Sequence, residues 1–225
     1  MLSRKSSSND IPLEYFSVSK IEVNVEPMLR IQGYTDLSRV RVVVKKTAKK
    51  MATLAESCFR PEVCYLRIPI KSCVNGVLTL DTSSEFHCDA FSKFLTGCHE
   101  VVVFVLTVGE QFDRELDKLQ DEDKLLETLF FENAGWLGVE SATREFAQYL
   151  RTQAALQQQK ISRRLSPGYS FKLESSISEW SLYEQSGLFD LFRRKHIPVH
   201  ILESGAMLPK MSRSGLYGIR RLATR

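Results

Sequence analysis

One run of residues restricts the possible folds of this chain more than any other. Residues 101–107 read Val-Val-Val-Phe-Val-Leu-Thr, so they are nearly all apolar and mostly β-branched. Side chains of these types favour strands, and a strand without a polar face needs cover on both sides. The run is far shorter than the roughly 20 apolar residues that a membrane-spanning helix requires. We therefore expect a strand that is covered on both faces.

Periodic patterns elsewhere predict further strands and helices. Alternating or continuous apolar residues predict strands over 21–25, 63–70, 77–80 and 199–202. Apolar stripes at steps of three and four predict helices over 37–58, 89–95, 111–119, 125–150 and 178–195. Because the strands and helices do not alternate regularly, the pattern favours an α+β fold over a doubly wound sheet.

Charge and composition exclude some classes of function. The formal net charge is +4 and the pI is near 8.8, which is too mildly basic to indicate nucleic-acid binding. No apolar run is long enough to span a membrane. The chain has five cysteines, and an odd number argues against a disulfide framework. We therefore expect reduced thiols and a cytoplasmic location.

The N-terminal residues have no apolar segment typical of a secretory signal. They contain Arg4, Lys5 and several serines, which leaves two interpretations. A short organelle-targeting peptide is one. The favoured interpretation is a disordered tail over residues 1–12, followed by a single domain over 13–225.

Metal-binding and catalytic motifs are weak in this sequence. The pairs His87-Cys88 and Cys98-His99 do not have the spacing of zinc knuckles, so ordinary side chains are the favoured interpretation. Ser204 lacks the Gly-x-Ser-x-Gly pattern of a nucleophile elbow. No Walker loop and no Gly-x-Gly-x-x-Gly motif occurs. The sequence therefore predicts no metal site and no catalytic residue.

Two segments have features of a small-molecule site. Residues 164–169 suit a zwitterionic ligand, because Arg164 offers a planar fork for a carboxylate and Gly168 allows close approach of a ligand. Tyr169 adds a flat face and a hydroxyl group. A plain Pro-Gly turn with a solvated arginine is the alternative. Residues 202–217 predict either a surface loop or a functional one, because unstructured loops of that length are uncommon.

Together these segments resemble the activation domain of cobalamin-dependent methionine synthase. That family carries an Arg-x-x-x-Gly-Tyr motif, matched here by residues 164–169. It also carries Glu-Ser-x-x-Met-x-Pro and then Ser-x-Ser-Gly, matched by Glu203, Ser204, Met207, Pro209, Ser212, Ser214 and Gly215. Upstream, a Thr-Val-Gly-Glu step after the apolar strand and Val139-Glu140 in the long helix follow the family's order. The chain also resembles the small free-standing proteins that supply this domain separately.

The resemblance implies a curved, mainly antiparallel sheet flanked by helices. It implies binding of S-adenosylmethionine and docking on a methionine synthase or another corrinoid protein, which carries the cobalamin. In the family, a methyl group from S-adenosylmethionine and an electron from a flavodoxin-like donor restore methylcobalamin. The resemblance therefore implies an accessory component for reactivation rather than an enzyme that acts alone.

Carried over residue by residue, the resemblance assigns roles in ligand binding. Arg164 would meet the carboxylate of the ligand, and Tyr169 would shape its pocket. Glu140 would approach a positive or hydrogen-bonding part of the ligand. Backbone contacts would come from Leu165, Ser166, Pro167 and Gly168, and further pocket or partner contacts from Met207, Ser212, Ser214, Gly215 and Tyr217.

Some features leave alternatives open. Arg213 stands where the family usually has a small apolar residue, so a corrinoid-binding module without tight S-adenosylmethionine binding is a second hypothesis. A methyltransferase with a small acceptor is a third, and it needs a base such as His87 or His99 near Arg164. Gly135 and Gly138 inside the long helix indicate a close approach by a ligand or by a packed element.

The C-terminal part is rich in basic residues. It predicts either a docking surface for an acidic partner or a solvated basic tail. The residues are Arg193, Arg194, Lys195, Lys210, Arg213, Arg220, Arg221 and Arg225.

Overall fold

The computed structural model describes residues 11–193 and 195–222. The predicted tail over 1–12 therefore lies mostly outside the described residues, as do Arg194 and Arg225 of the basic stretch. Over the described ranges, no helix has the length and apolarity that crossing a membrane requires.

A seven-stranded antiparallel sheet forms the centre of the molecule. Its strands are β1 (Glu14–Phe16), β2 (Glu62–Val74), β3 (Val77–Leu80), β4 (Glu85–His87), β5 (Cys98–Thr107), β6 (Gln159–Ile161) and β11 (Ser212–Arg221). The order is β4-β3-β2-β5-β11-β6, and β1 pairs with the beginning of β2. Two small hairpins lie outside it: β7 (Ser170–Lys172) with β8 (Ile177–Glu179), and β9 (His200–Ile201) with β10 (Met207–Leu208).

Helices cover both faces of this sheet. They are α1 (Val25–Ile31), α2 (Val42–Cys58), α3 (Asp89–Phe94), α4 (Glu110–Asp121), α5 (Leu125–Leu156) and α6 (Gln185–Asp190). A first core lies between one face and α1, α2, α4 and α5. A second core lies under α3, α6 and the β7–β8 hairpin on the other face. The α+β prediction of an antiparallel sheet flanked by helices is confirmed.

The apolar run that restricted the fold forms β5. Phe104 and Leu106 lie in the first core, whereas Val103 and Val105 lie in the second, and all four are fully buried. The prediction of a strand covered on both faces is confirmed. Because β5 is flanked by β2 and β11, its position fixes the middle of the sheet.

The prediction of a strand over 21–25 is wrong. Ile21 and Val23 are buried, whereas Glu22 and Asn24 are exposed, so the alternation of apolar and polar residues correctly indicates which side chains are buried. The backbone nitrogen of Val23, however, donates to the Glu56 carboxylate at 2.7 Å instead of to a neighbouring strand. An extended segment bound by a side chain therefore produces the same pattern as a strand.

The helix predicted over 37–58 begins later than expected. Asp36 accepts a hydrogen bond from the backbone nitrogen of Ser38, and the turn that it caps is a 3₁₀ turn at Leu37–Arg39. Helix α2 begins only at Val42.

The prediction of one helix over 178–195 is also wrong. The segment contains β8, a 3₁₀ turn at Leu182–Glu184 and the short helix α6. Trp180 is fully buried, with its ring edge-on to Phe86 at 5.8 Å and to Phe91 at 5.0 Å. Its indole nitrogen donates to Glu184 at 2.7 Å. Burial of this large ring holds the segment in a compact turn that a continuous helix could not make.

The surface-loop interpretation of residues 202–217 holds for 202–208, which are mostly exposed, and is wrong from Ser212 onward. There the chain forms β11, which pairs with β5 on one side and with β6 on the other. Residues 213–219 are buried, including the polar side chains Arg213 and Ser214. Glycine is depleted in strands, and Arg213 and Ser214 put polar side chains at buried positions, so the sequence pattern did not predict this strand inside the sheet.

The two glycines of α5 serve helix packing. A Cβ atom on Gly135 would lie 2.3 Å from the ring of Phe112, and one on Gly138 would lie 2.6 Å from the ring of Phe59. Of the two interpretations left open by the sequence, the structure therefore supports close approach of a packed element.

Candidate ligand-binding site

The turn over residues 164–169 is held against the sheet by backbone and side-chain hydrogen bonds. Leu165 and Leu216 exchange backbone hydrogen bonds of 2.9 and 2.8 Å. The Ser166 hydroxyl donates to the carbonyl oxygen of Ser214 at 2.7 Å. These contacts fix the position of the turn relative to β11.

Gly168 serves the geometry of this turn. Its φ of 77° lies in the left-handed region, which glycine adopts without strain. Its backbone nitrogen donates to the carbonyl oxygen of Trp180 at 2.7 Å, and Trp180 donates in turn to Tyr169 at 3.1 Å. The turn therefore leads directly into the β7–β8 hairpin.

Arg164 is half-buried and stacks on Tyr169. The guanidinium carbon lies 5.1 Å from the centre of the Tyr169 ring, which is 45% exposed. Burial lowers the pKa of the Arg164 guanidinium, and the nearby positive charge of Arg213 lowers it further. No carboxylate of the described residues forms a salt bridge with Arg164. Glu140 lies within charge range of Arg164 but forms its ion pair with Arg213. A partly desolvated guanidinium with no carboxylate in contact is a natural site for an anion.

Arg213 and Glu140 form an ion pair beside it. The guanidinium donates to the Glu140 carboxylate at 2.7 Å and to the Thr143 hydroxyl at 3.0 Å. The Arg213 side chain is only 6% exposed, whereas that of Glu140 is 36% exposed. One oxygen of Glu140 is therefore already bound within the protein.

A cleft of about 150 Å³ opens beside Tyr169. It lies between α5, the turn, the β9–β10 hairpin and the beginning of β11. Its lining residues are Trp136, Val139, Ser166, Pro167, Tyr169, Gln185, Met207, Lys210, Met211, Ser212, Arg213 and Ser214. No histidine is present among these.

The structure brings some of the sequence-derived site residues into this cleft and leaves others outside. Ser166, Pro167, Tyr169, Met207, Ser212 and Ser214 line it, whereas Arg164 and Glu140 lie within charge range of one another beside it. Leu165 and Gly168 belong to the turn without lining the cleft. Gly215 and Tyr217 do not line the cleft. The Tyr217 ring stacks on Phe104 at 5.5 Å, and burial raises the pKa of its hydroxyl, which lies within charge range of Arg164 and Glu140.

Sequence reasoning missed part of the cleft. Trp136, Val139, Gln185, Lys210 and Met211 line it but were not candidates. Trp136 and Val139 lie three residues apart on the predicted apolar stripe of α5, just before Glu140. The stripe predicted Trp136 as a core residue, whereas its side chain is 51% exposed in the structure.

Four of the six described basic residues of the C-terminal part have partners. Arg213 pairs with Glu140, Lys210 with Glu132 and Arg193 with Asp190. Lys195 donates to the carbonyl oxygen of Ile11 at 2.6 Å. The three ion pairs reduce the one-signed charge that the sequence indicated for this part.

The two candidate bases do not lie in the cleft. His87 pairs through Nδ1 with Glu184 at 2.8 Å on the edge strand β4. His99 lies at the start of β5, next to Cys98, which pairs with Arg220 of β11. Arg213, which lines the cleft, pairs with Leu106 near the other end of β5. The methyltransferase hypothesis that required one of them near Arg164 therefore has no base there.

Comparison with known proteins gives a match in structure but none in sequence. No family model and no curated protein matches the chain. A crystal structure of the MetH reactivation domain bound to AdoHcy matches with a TM-score of 0.62 and 15% identity. The match covers 100% of this chain and 84% of that one. The chain has the fold of the MetH reactivation domain. The architecture implied by the sequence motifs is thereby confirmed.

Proposed function

We propose that this chain binds S-adenosylmethionine and serves as an accessory protein for the reductive remethylation of cobalamin. Its partner would be a cytoplasmic methionine synthase that lacks its own activation domain, or another corrinoid protein. The fold of the MetH reactivation domain, which has been seen with AdoHcy bound, supports this role. The observation that carries it is the half-buried Arg164 guanidinium, stacked on Tyr169 next to a cleft and without a carboxylate partner.

The residues around the cleft fit the parts of the ligand. Arg164 would bind the carboxylate through its planar fork. Trp136 and Tyr169 both line the cleft and are about half exposed. A purine would stack on Trp136 or on the face of Tyr169 that Arg164 leaves open. The enclosed volume of about 150 Å³ is below the roughly 300–1,000 Å³ typical of small-molecule sites. A nucleoside ligand would therefore extend over the rim.

The chemistry asked of this chain is positioning. S-adenosylmethionine supplies a methyl group that is already activated by its sulfonium. The chain would hold the ligand by its carboxylate and its ring and present the methyl group to the cobalamin of the partner. A flavodoxin-like protein would supply the electron. Met207, Ser212 and Ser214 line the cleft and are candidates for contact with ligand or partner.

Calorimetric titration with S-adenosylmethionine tests the ligand half of this proposal. We expect Arg164→Ala to weaken binding about 10- to 100-fold, because a charge-assisted hydrogen bond contributes roughly 1.5–3 kcal/mol. Arg163→Ala is a matched control, because Arg163 stacks on Phe94 and Phe171 instead of Tyr169. Absence of binding by the unaltered protein, or equal losses in both variants, would contradict the proposal.

A second candidate is a corrinoid-binding module, or a reactivator of another corrinoid methyltransferase, without tight S-adenosylmethionine binding. The observation that favours it is the Arg213–Glu140 pair, which places a fixed guanidinium in the wall of a small cleft. Size-exclusion chromatography with a purified cobalamin-loaded methionine synthase domain separates the two. A stable complex together with no calorimetric signal for S-adenosylmethionine would favour the second candidate.

A further inference from the structure

The apolar stripe of α5 is covered along only one half of its length. Leu125, Leu129 and Trp136 follow one another at steps of four and seven residues, so they lie on one face of the helix. They are 82%, 40% and 51% exposed, whereas Phe146 and Leu150 further along the helix are buried in the first core. The first half of the stripe therefore presents large apolar side chains that the described residues leave partly or almost fully uncovered.

This exposed half adjoins the ligand cleft. Trp136 lines both the cleft and a groove of about 560 Å³ between α1 and α5. Ile31, which is 44% exposed, lines the same groove and extends the apolar surface onto α1. Glu132 lies between Leu129 and Trp136 along the helix, and its carboxylate is paired with Lys210. A protein that covers the cleft at Trp136 would therefore meet an apolar surface directly beside it.

We propose that the first half of α5 is the surface on which the cobalamin-carrying partner docks, with Leu125, Leu129 and Trp136 as apolar contacts. The inference rests on the proposed function. Transfer of a methyl group requires direct contact between the ligand in the cleft and the cobalamin of the partner, so the partner must lie over the mouth of the cleft. Trp136 lines the cleft and is half exposed, and the stripe leads away from it along the helix.

The size of this apolar surface fits a partner that binds transiently. Even with Ile31 included, the four side chains are only partly exposed and present far less than the roughly 800 Å² that each partner contributes to a standard interface. A permanent dimer of this chain would need a larger apolar face. A partner that is engaged only for reactivation needs an interface that forms and separates, and a few apolar anchors that include a tryptophan suit such an interface.

Replacement of both leucines by glutamine tests this docking surface. Leu125→Gln together with Leu129→Gln removes apolar contacts without a change in net charge, and neither residue lines the cleft. By biolayer interferometry, we expect the double variant to bind a purified cobalamin-loaded methionine synthase domain about tenfold more weakly than the unaltered protein. Its affinity for S-adenosylmethionine should not change. Leu156→Gln is the matched control, because Leu156 is 76% exposed at the last position of the same helix.

The other outcomes separate the inference from the proposed function. An unchanged affinity of the double variant for the cobalamin-loaded domain, or an equal loss in Leu156→Gln, would overturn the inference and leave the proposed function standing. Self-association of the unaltered protein in analytical ultracentrifugation, abolished in the double variant, would assign the stripe to a second copy of this chain and would overturn the inference as well. If thermal unfolding shows that the double variant does not fold, Leu125→Gln alone decides, because that side chain is almost fully exposed. No binding of the domain by the unaltered protein would remove the proposed function itself.

Discussion

Gly215 determines how closely the turn over residues 164–169 approaches β11. A Cβ atom at this position would lie 2.4 Å from the Ser166 hydroxyl and 2.5 Å from the carbonyl oxygen of Leu165. Because one of these atoms belongs to the backbone, a change of rotamer could not relieve the clash. We expect Gly215→Ala to lower the free energy of unfolding by about 3 kcal/mol, near the upper end for overpacking.

Chemical denaturation of Gly215→Ala measures this loss directly. Gly187→Ala is a suitable control, because a Cβ atom there would meet only the ring of Phe86 at an ordinary 3.4 Å. A helical glycine replaced by alanine should be neutral or slightly stabilising. Similar stability of the two variants would show that the turn does not depend on this contact.

The site could be predicted from sequence where its residues share one turn. Ser166, Pro167 and Tyr169 all line the cleft, and one short motif named all three. Trp136, Lys210 and Met211 come from other elements, and their meeting depends on where β11 is inserted. Nothing in the local sequence records that insertion, so these residues could not be found without the structure.

At the scale of elements, β1 is tied to the sheet by a buried tyrosine. The Tyr65 hydroxyl donates to the Glu14 carboxylate at 2.9 Å and lies 3.3 Å from the Tyr149 hydroxyl. Burial raises the pKa of Tyr65, so it remains a donor across the usual pH range. We expect Tyr65→Phe to cost about 1 kcal/mol and to speed amide exchange in β1.

Hydrogen-exchange mass spectrometry follows β1 separately from the rest of the sheet. Tyr15→Phe removes the same group from a ring that is 65% exposed and should change neither stability nor exchange. Unaltered exchange at Glu14–Phe16 in Tyr65→Phe would mean that the strand pairing alone holds this element.

Strands and helices whose own residues show a clear apolar pattern were predicted well. Those that depend on contacts with residues distant in the sequence were not. Residues 77–80 match β3, and the buried run of 101–107 lies within β5. The alternation at 21–25 described burial on one side only, while the Glu56 side chain replaced a neighbouring strand. In β11, the guanidinium of Arg213 is buried because α5 supplies Glu140 and Thr143. Strand propensities of single residues cannot predict that partners on another element will allow an arginine to be buried.

At the scale of the whole molecule, the two cores lie on opposite faces of one sheet. Cys58 is buried in the first core and Cys64 in the second. Burial raises the pKa of the Cys58 thiol, and it raises that of Cys64 to about 12. Neither thiol should therefore react with an alkylating reagent at pH 8 unless the surrounding core opens.

Alkylation of these thiols tests whether residues 13–225 fold as a single domain, as we propose. We expect Cys58 and Cys64 to be modified with the same dependence on denaturant, because the sheet that they share must open as a unit. Cys73 is only half-buried and should react without global unfolding. Protection that differs by more than about 1 kcal/mol between Cys58 and Cys64 would indicate two cores that unfold separately.

The position of β11 has a consequence for the order in which the protein can assemble during synthesis. Its residues leave the ribosome after those of β5 and β6, yet it must enter between these two strands. The nascent chain therefore keeps an open edge along β5 until residues 212–221 have emerged. The same strand completes the wall of the cleft, so the cleft should be incomplete in a nascent chain halted before this point.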